Sequence, residues 1–291
     1  MSTNREGGTP PQSDNALARL PVEVRKSATG WFADLQEDAL ALEVPVALVY
    51  NGISHAVMMA SPTELEDLAL GFSLTEGILA HPHECYDLEL REEAQGLAVH
   101  MTIATQRLAE LKERRRSLTG RTGCGLCGTE ALEHAIRPIP TVTAPPLDDV
   151  AIQHALGELA DYQPLKAATG AVHGAAWCDL HGWIQRLRED VGRHNALDKL
   201  IGSLARDAAP LAEGFVLVSS RASYEMVHKC ASAGIGALVA VSAATALAVE
   251  QARTANLLLA GFARPGRHLI YHRPGGRNEE TAVTATCRRF D

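Results

Sequence analysis

Two apolar runs, 44–50 and 53–60, flank the dipeptide Asn51-Gly52, and this pattern predicts a β-hairpin closed by a type I′ turn. A helix should follow at once, because Ser61, Pro62 and Glu64 occupy the N-cap, N1 and N3 positions of a capping box, with Glu66 and Asp67 close behind. It is expected to run to about Leu79 and holds Gly71, an unfavourable residue inside a helix unless another backbone packs closely there. A second hairpin is predicted over 86–91 and 97–103, turning at Gln95-Gly96, and then a charged helix over 106–116. Pro138, Pro140, Pro145 and Pro146 interrupt the periodicity. Beyond them the pattern predicts a helix over 148–161 and a hairpin over 170–188 that turns near 179–182. Asn195 is then expected to cap a helix with an apolar stripe at Leu197, Leu200, Ile201 and Leu204.

The last third alternates. Apolar strands at 215–218, 237–241 and 257–261 are separated by helices at 223–233 and 244–253. Strands joined through helices pair in parallel with right-handed crossovers, so their carboxyl ends all face one way, and ligands of open α/β sheets bind there. The loops at those ends supply Ser219, Ser220 and Arg221, then Ser242 and Thr245, then Phe262, Ala263, Arg264, Pro265, Gly266 and Arg267. Hydroxyls, backbone N–H groups at helix starts and arginines suit a phosphate-bearing ligand. The same hydroxyls would also serve as helix caps, with the arginines in solvent.

The chain has 291 residues, enough for one large or two ordinary cores. We expect a disordered polar tail over 1–20, an N-terminal α+β domain over 21–137, a Pro-rich linker over 138–146 and a C-terminal α/β domain over 147–291. A net charge of -8 argues against a general nucleic-acid binder. Residues 231–249 are uncharged, but Gly234, Gly236, Ser242 and Thr245 divide them into a strand and the start of a helix, so no membrane span is expected. The first residues lack the apolar segment of a secretion signal, and six scattered cysteines fit the cytosol better than a disulfide framework.

The chemistry concentrates in Arg121-Thr122-Gly123-Cys124-Gly125-Leu126-Cys127-Gly128. Glycines around two thiols allow close approach, and Arg121 with Arg114, Arg115 and Arg116 makes the setting electropositive, which favours the reactive thiolate. A helix starting at Thr129 would place Glu130 and Glu133 to work the other way. A structural zinc normally needs a second such pair, and only His81, His83 and Cys85 could complete four ligands. A thioredoxin-like motif should sit beside a βαβ unit, and this one does not. A deaminase would need H-x-E, whereas Gly174 and Ala175 follow His173. His173 alone reads as structural, and Cys85, Cys178, Cys230 and Cys287 as small hydrophobes. The charge-dense segment 190–199, with Asp190, Arg193, His194, Asn195, Asp198 and Lys199, reads equally as capping and ion pairing or as part of a ligand cavity.

Beyond the cysteine loop, several blocks resemble a known family. They are Asn51-Gly52 with Val57-Met58-Met59-Ala60, the run 65–77, the run 188–199, the run 221–227 and Gly261-Phe262. Together they resemble the formate dehydrogenase accessory sulfurtransferases, the FdhD family, from Pro45 to Tyr271. The resemblance implies an α/β fold with an α+β N-terminal part, in which the C-terminal domain is a three-layer deaminase-like sheet. It implies a cytoplasmic protein that accepts sulfur as a persulfide from a cysteine desulfurase. That sulfur would pass to the molybdenum of bis-molybdopterin guanine dinucleotide before this cofactor enters formate dehydrogenase. By position, Cys124 matches the persulfide cysteine, Cys127 its companion, and Phe262, Ala263, Arg264, Pro265, Gly266 and Arg267 the cofactor segment. With the match, Ser219, Arg221, Ser242, His194 and Lys199 join the expected cavity, no metal is permanently held, and a homodimer is expected. Ala171, Ser220 and Ala244 depart from the family pattern, each small for small, which bears on the fine ligand contacts. A chaperone that holds the cofactor without touching sulfur is the other reading.

Overall fold

A computed structural model describes residues 13–27, 31–119 and 137–275, which form three sheets. The four-stranded sheet has the order β4-β3-β6-β5 and consists of β3 (Val44–Tyr50), β4 (Ile53–Ala60), β5 (Cys85–Glu93) and β6 (Gly96–Ile103). Asn51 and Gly52 have φ of 47° and 80°, the two positive values a type I′ turn requires. Asn51 also bonds both backbone groups of Ile103, at 2.8 and 3.2 Å, which ties the hairpin to the end of β6. At the second hairpin glycine is obligatory for another reason: a Cβ on Gly96 would lie 2.3 Å from the Pro45 carbonyl oxygen. Val46, Leu48 and Tyr50 alternate inward against Leu68, Leu79 and Met101, beneath α1 (Leu65–Thr75). α2 (Thr105–Thr119) follows β6.

The capping box at Ser61 does not form. α1 begins at Leu65 behind Glu64, which is left-handed at φ 45° without a side-chain cap, and it ends at Thr75 rather than near Leu79. Ser61 is used elsewhere: its N–H donates to Asp190 Oδ2 at 3.0 Å and its Oγ accepts from Val191 N at 3.2 Å. Residues 13–20, expected in the tail, are ordered into a 3-10 turn and the start of β1 (Leu17–Ser27), which pairs antiparallel with β2 (Trp31–Ala41). Ala16 anchors this arm in a small cluster with Leu165 and Val172.

The six-stranded sheet has the order β12-β11-β10-β9-β7-β8. β9 (Gly214–Val218), β10 (Ala237–Ala240) and β11 (Leu258–Arg264) are parallel, joined through α6 (Tyr224–Ser232) and α7 (Ala246–Thr254). β7 (His173–Asp179), β8 (Ile184–Asp190) and β12 (Arg267–His272) are antiparallel additions. One face of the sheet packs against α5 (Arg193–Arg206), α6 and α7 through Leu197, Leu200, Met226 and Ala248. The other packs against α3 (Asp149–Glu158) through Ile152, Ala155, Phe215 and Val239, completing three layers. The short α4 (Pro164–Thr169) follows. The uncharged stretch divides into β10 and the start of α7, and among the described residues no helix is long and apolar enough to cross a membrane. The proline-rich stretch lies along the helical layer, where Val142 N donates to Ala255 O at 2.8 Å.

α1 and α5 join the two larger sheets. A Cβ on Gly71 would lie 1.8 Å from Asp198 O, and one on Gly202 would lie 1.9 Å from Asp67 O, so each helix passes over a bare glycine of the other. The close backbone approach expected at Gly71 is present.

Candidate functional site

The carboxyl ends of β9, β10 and β11 face one way, and their loops are bonded to one another. Ser242 N donates to Ser220 O at 3.2 Å, Ala222 N to Ala243 O at 3.0 Å, and Phe262 N to Ser242 O at 2.9 Å. Because β7 runs antiparallel to β9, its first residues reach the same end. Ser219 Oγ accepts from Gly174 N at 2.9 Å, which sets His173 beside the loop after β9. β8 ends at Asp190, so Gly192, Arg193 and His194 at the start of α5 arrive there too. The floor is therefore rigid backbone, and the charged side chains stand on it.

These charges are mainly positive. Burial holds the His173 imidazole below its ordinary pKa, and the Arg193 and Lys166 charges depress it further. Burial also lowers His194; Glu225, whose carboxylate is 2.7 Å away, opposes the shift, while Arg193, Lys229 and Arg221 add to it. The cations Arg193, Lys166 and Arg221 outnumber the nearby carboxylates Glu225 and Asp190, which makes a setting for an anion. Arg221 is exposed, whereas Arg193 Nε is buried with no hydrogen-bond partner. Thr245 follows the plainer reading of the hydroxyls, because its Oγ1 caps α7 by accepting from Ala248 N at 3.3 Å.

Residues 262–267 are not the open loop expected after β11. Phe262, Ala263 and Arg264 are the last residues of that strand, Pro265 and Gly266 make a tight turn, and Arg267 opens β12. The register slips between Gly261 and Arg264, at Phe262, whose φ is 49° and whose ring is 43% exposed. A non-glycine residue held left-handed costs on the order of 1–3 kcal/mol, strain that concentrates at functional positions. Arg264 folds back and donates to the carbonyls of Val241 and Ala263, which lays its guanidinium across the end of β10. Ser242 and Arg267 lie at the same end of the sheet, in the loop after β10 and at the base of the turn.

Lys199 does not face this site. It is fully buried, with Nζ 2.7 Å from Asp190 Oδ2 and 3.0 Å from Ser61 O, so its charge joins α5 to the first sheet and is closed to a ligand. Asn195 is not the cap of α5, which starts at Arg193 behind Gly192; its Nδ2 donates to Met59 O at 2.8 Å and Asp190 Oδ1 at 3.0 Å. Sequence reasoning took His173 as structural and named Arg193 only within the charge-dense segment 190–199, which reads equally as ion pairing or as cavity. The signal for both was topological: the start of an antiparallel neighbour and the start of the next helix return to the end where the parallel strands finish.

Cys124, Cys127, Arg121 and the helix expected at Thr129 lie outside the described residues, as does Cys287. The flanking residues Leu111 on α2 and Arg137 both line a cleft of about 1190 Å³ between α1, α5 and α6. On its wall Arg137 Nη1 donates to Glu76 Oε2 at 2.7 Å, and behind Glu76 the buried Lys229 Nζ reaches Asp198 Oδ2 at 2.9 Å and Glu76 Oε1 at 3.1 Å. Burial alone would lower Lys229, but Asp198 and Glu76 hold it above its ordinary pKa. Cys178 and Cys230 are fully buried, and burial pushes both thiols well up, which suits the packing role expected of them. Among the described residues no three His, Cys, Asp or Glu are placed to share a metal ion.

Residues 41–277 match the FdhD/NarQ family. A relative from Bordetella petrii named sulfur carrier protein FdhD is 52% identical over 266 residues, covering 91% of this chain and 95% of its own. A relative of the same name from Cupriavidus necator is 53% identical over 250 residues, 86% of this chain and 87% of that one. Among solved structures, a crystal structure from Desulfotalea psychrophila with a provisional formate dehydrogenase accessory designation superposes with a TM-score of 0.68. It covers 89% of this chain and 98% of its own at 23% identity, a likeness of fold.

Proposed function

The chain belongs to the FdhD/NarQ family, and from that membership we propose that it carries sulfur from a cysteine desulfurase to bis-molybdopterin guanine dinucleotide, in the cytoplasm, for a formate dehydrogenase. A role in sulfur transfer for formate dehydrogenase rests on relatives that share about half its residues almost end to end. The finer assignments are our reading. The Cys124 thiolate attacks the outer sulfur of the desulfurase persulfide, and the desulfurase thiolate leaves, so no electrons are gained or lost. Release as sulfide needs two electrons. Attack of the Cys127 thiol on the inner sulfur of the Cys124 persulfide supplies them, forming a Cys124–Cys127 disulfide and freeing hydrosulfide for the acceptor. A cellular dithiol then restores both thiols.

The cofactor is cargo here, and its guanine nucleotide ends carry pyrophosphates. The observation that carries this half of the reading is the gathering of Arg193, Arg221 and Lys166 around His173 and His194 at the strand ends, beside the hairpin of 262–267. Cations over a backbone floor suit a pyrophosphate, and the exposed Phe262 ring suits a purine face. We also read the protein as a homodimer. Trp31 and Leu35 on the two-stranded arm are 73% and 76% exposed, an apolar surface that supports this.

The deciding experiment is mass spectrometry of the full chain after incubation with a cysteine desulfurase and cysteine. One added sulfur should appear, map to Cys124 and vanish on reduction. No added sulfur, together with active formate dehydrogenase from a Cys124→Ala strain, would instead favour a chaperone that holds the cofactor without handling sulfur.

A further inference from the structure

We infer that Gln153 on α3 is a positioning residue for the hairpin of β11 and β12, an inference that rests on reading residues 262–267 as the cofactor segment. Among the described residues the hairpin lies at the edge of the six-stranded sheet, with no strand on its far side. One face of α3 holds it instead. Gly266 N donates to Gln153 Oε1 at 2.8 Å, Gln153 Nε2 is 3.0 Å from His268 Nδ1, and His268 Nε2 is 3.1 Å from Asp149 Oδ1. Asp149 and Gln153 are four residues apart on the helix, so both side chains reach the same strand.

The first of these bonds fixes the direction of the others. A backbone N–H can only donate, so the Gln153 oxygen must face Gly266 and its NH2 must face His268. His268 Nδ1 is then the acceptor, and its one hydrogen sits on Nε2, directed at the Asp149 carboxylate. Donation runs one way, from the backbone of the turn to a carboxylate on the helix. Only an amide of this length meets both demands; a carboxylate accepts from Gly266 but has nothing to give a neutral imidazole. Charged groups around His268 are Asp149 and, beyond β12, Arg273, which donates to the same Asp149 oxygen at 3.3 Å. The consequence reaches the site. With the turn clamped at Gly266, Arg264 on its other side is held where its guanidinium crosses the end of β10.

The test uses the full-length protein and guanosine diphosphate, which carries the guanine and pyrophosphate of the cofactor, with affinity measured by titration calorimetry for wild type, Q153L and Q153E. Q153L should bind about tenfold more weakly, the effect of losing roughly one hydrogen bond's worth of hold. Q153E, which keeps an acceptor for Gly266 N but offers His268 no donor, should bind between wild type and Q153L. A purely structural role would shift the unfolding midpoint of each variant without ordering the affinities in this way. If wild type binds and both variants bind as tightly as it does, the positioning role is overturned and the cofactor reading stands. If wild type does not bind, the cofactor reading falls and takes this inference with it. Should Q153L fail to fold, the affinity of Q153E relative to wild type decides.

Discussion

Lys199 is fully buried, and Asp190 and the Ser61 carbonyl meet its Nζ there, at 2.7 and 3.0 Å. Removing only the cation leaves the Asp190 carboxylate buried without its counter-charge. Lys199→Met should therefore cost about 3–5 kcal/mol in urea unfolding. Glu76 makes a pH-dependent contribution. Burial alone would raise its pKa, but Lys229 and Arg137 hold it below the ordinary 4.5. A depressed carboxylate stabilises the fold above its unfolded value and loses that effect as pH falls through the folded one. Glu76→Gln should thus cost about 1 kcal/mol near neutrality, discounted for partial exposure, with the gap to wild type closing below about pH 4. Chemical denaturation at stepped pH measures both. Ser61 and Asn195 mark where reading the sequence failed. Each has the composition of a helix cap, yet each is engaged by Asp190, which for Ser61 lies 129 positions along the chain. Local propensity yields to such a contact.

At the level of elements, the Asn51-Gly52 hairpin was legible because its turn demands positive φ at both central residues between two apolar runs. The parallel strands were legible because apolar runs alternate with helices, and that pattern also located the end of the sheet where Ser219, Arg221, Ser242 and Phe262 gather. The hairpin of 262–267 escaped because Pro265-Gly266 signals a turn but Arg267-His268 after it does not begin an apolar run that would mark β12 as a strand. The crossing of α1 and α5 depends on two missing side chains. Gly71→Ala and Gly202→Ala each push a methyl to under 2 Å from a carbonyl oxygen of the other helix. Because backbone on both sides must move, each should cost about 3 kcal/mol or more, and the double variant should lose much less than the sum, since one separation of the helices relieves both clashes. Urea unfolding of the three variants reads this out.

For the whole molecule, the proline-rich stretch is a poor place to cut. Val142 and Thr143 lie on the second sheet's helical layer, and α5 has one flank on its own sheet and the other on α1. A fragment of residues 147–275 would keep Lys199 and Asp190 but lose Ser61 and the α1 surface. We expect it to lack a cooperative thermal transition, and a sharp one by circular dichroism would mean that the two sheets are independent units. The crossing has a consequence for synthesis as well. The α1 helix is complete at Thr75, but its partner does not begin until Arg193. At typical ribosomal speeds of about 5–20 residues per second the wait is on the order of ten seconds, during which Leu65 to Thr75 has left the exit tunnel with its mate not yet made. A nascent chain in that interval is a natural client for a ribosome-associated chaperone, and the hazard ends only when translation has passed Arg206.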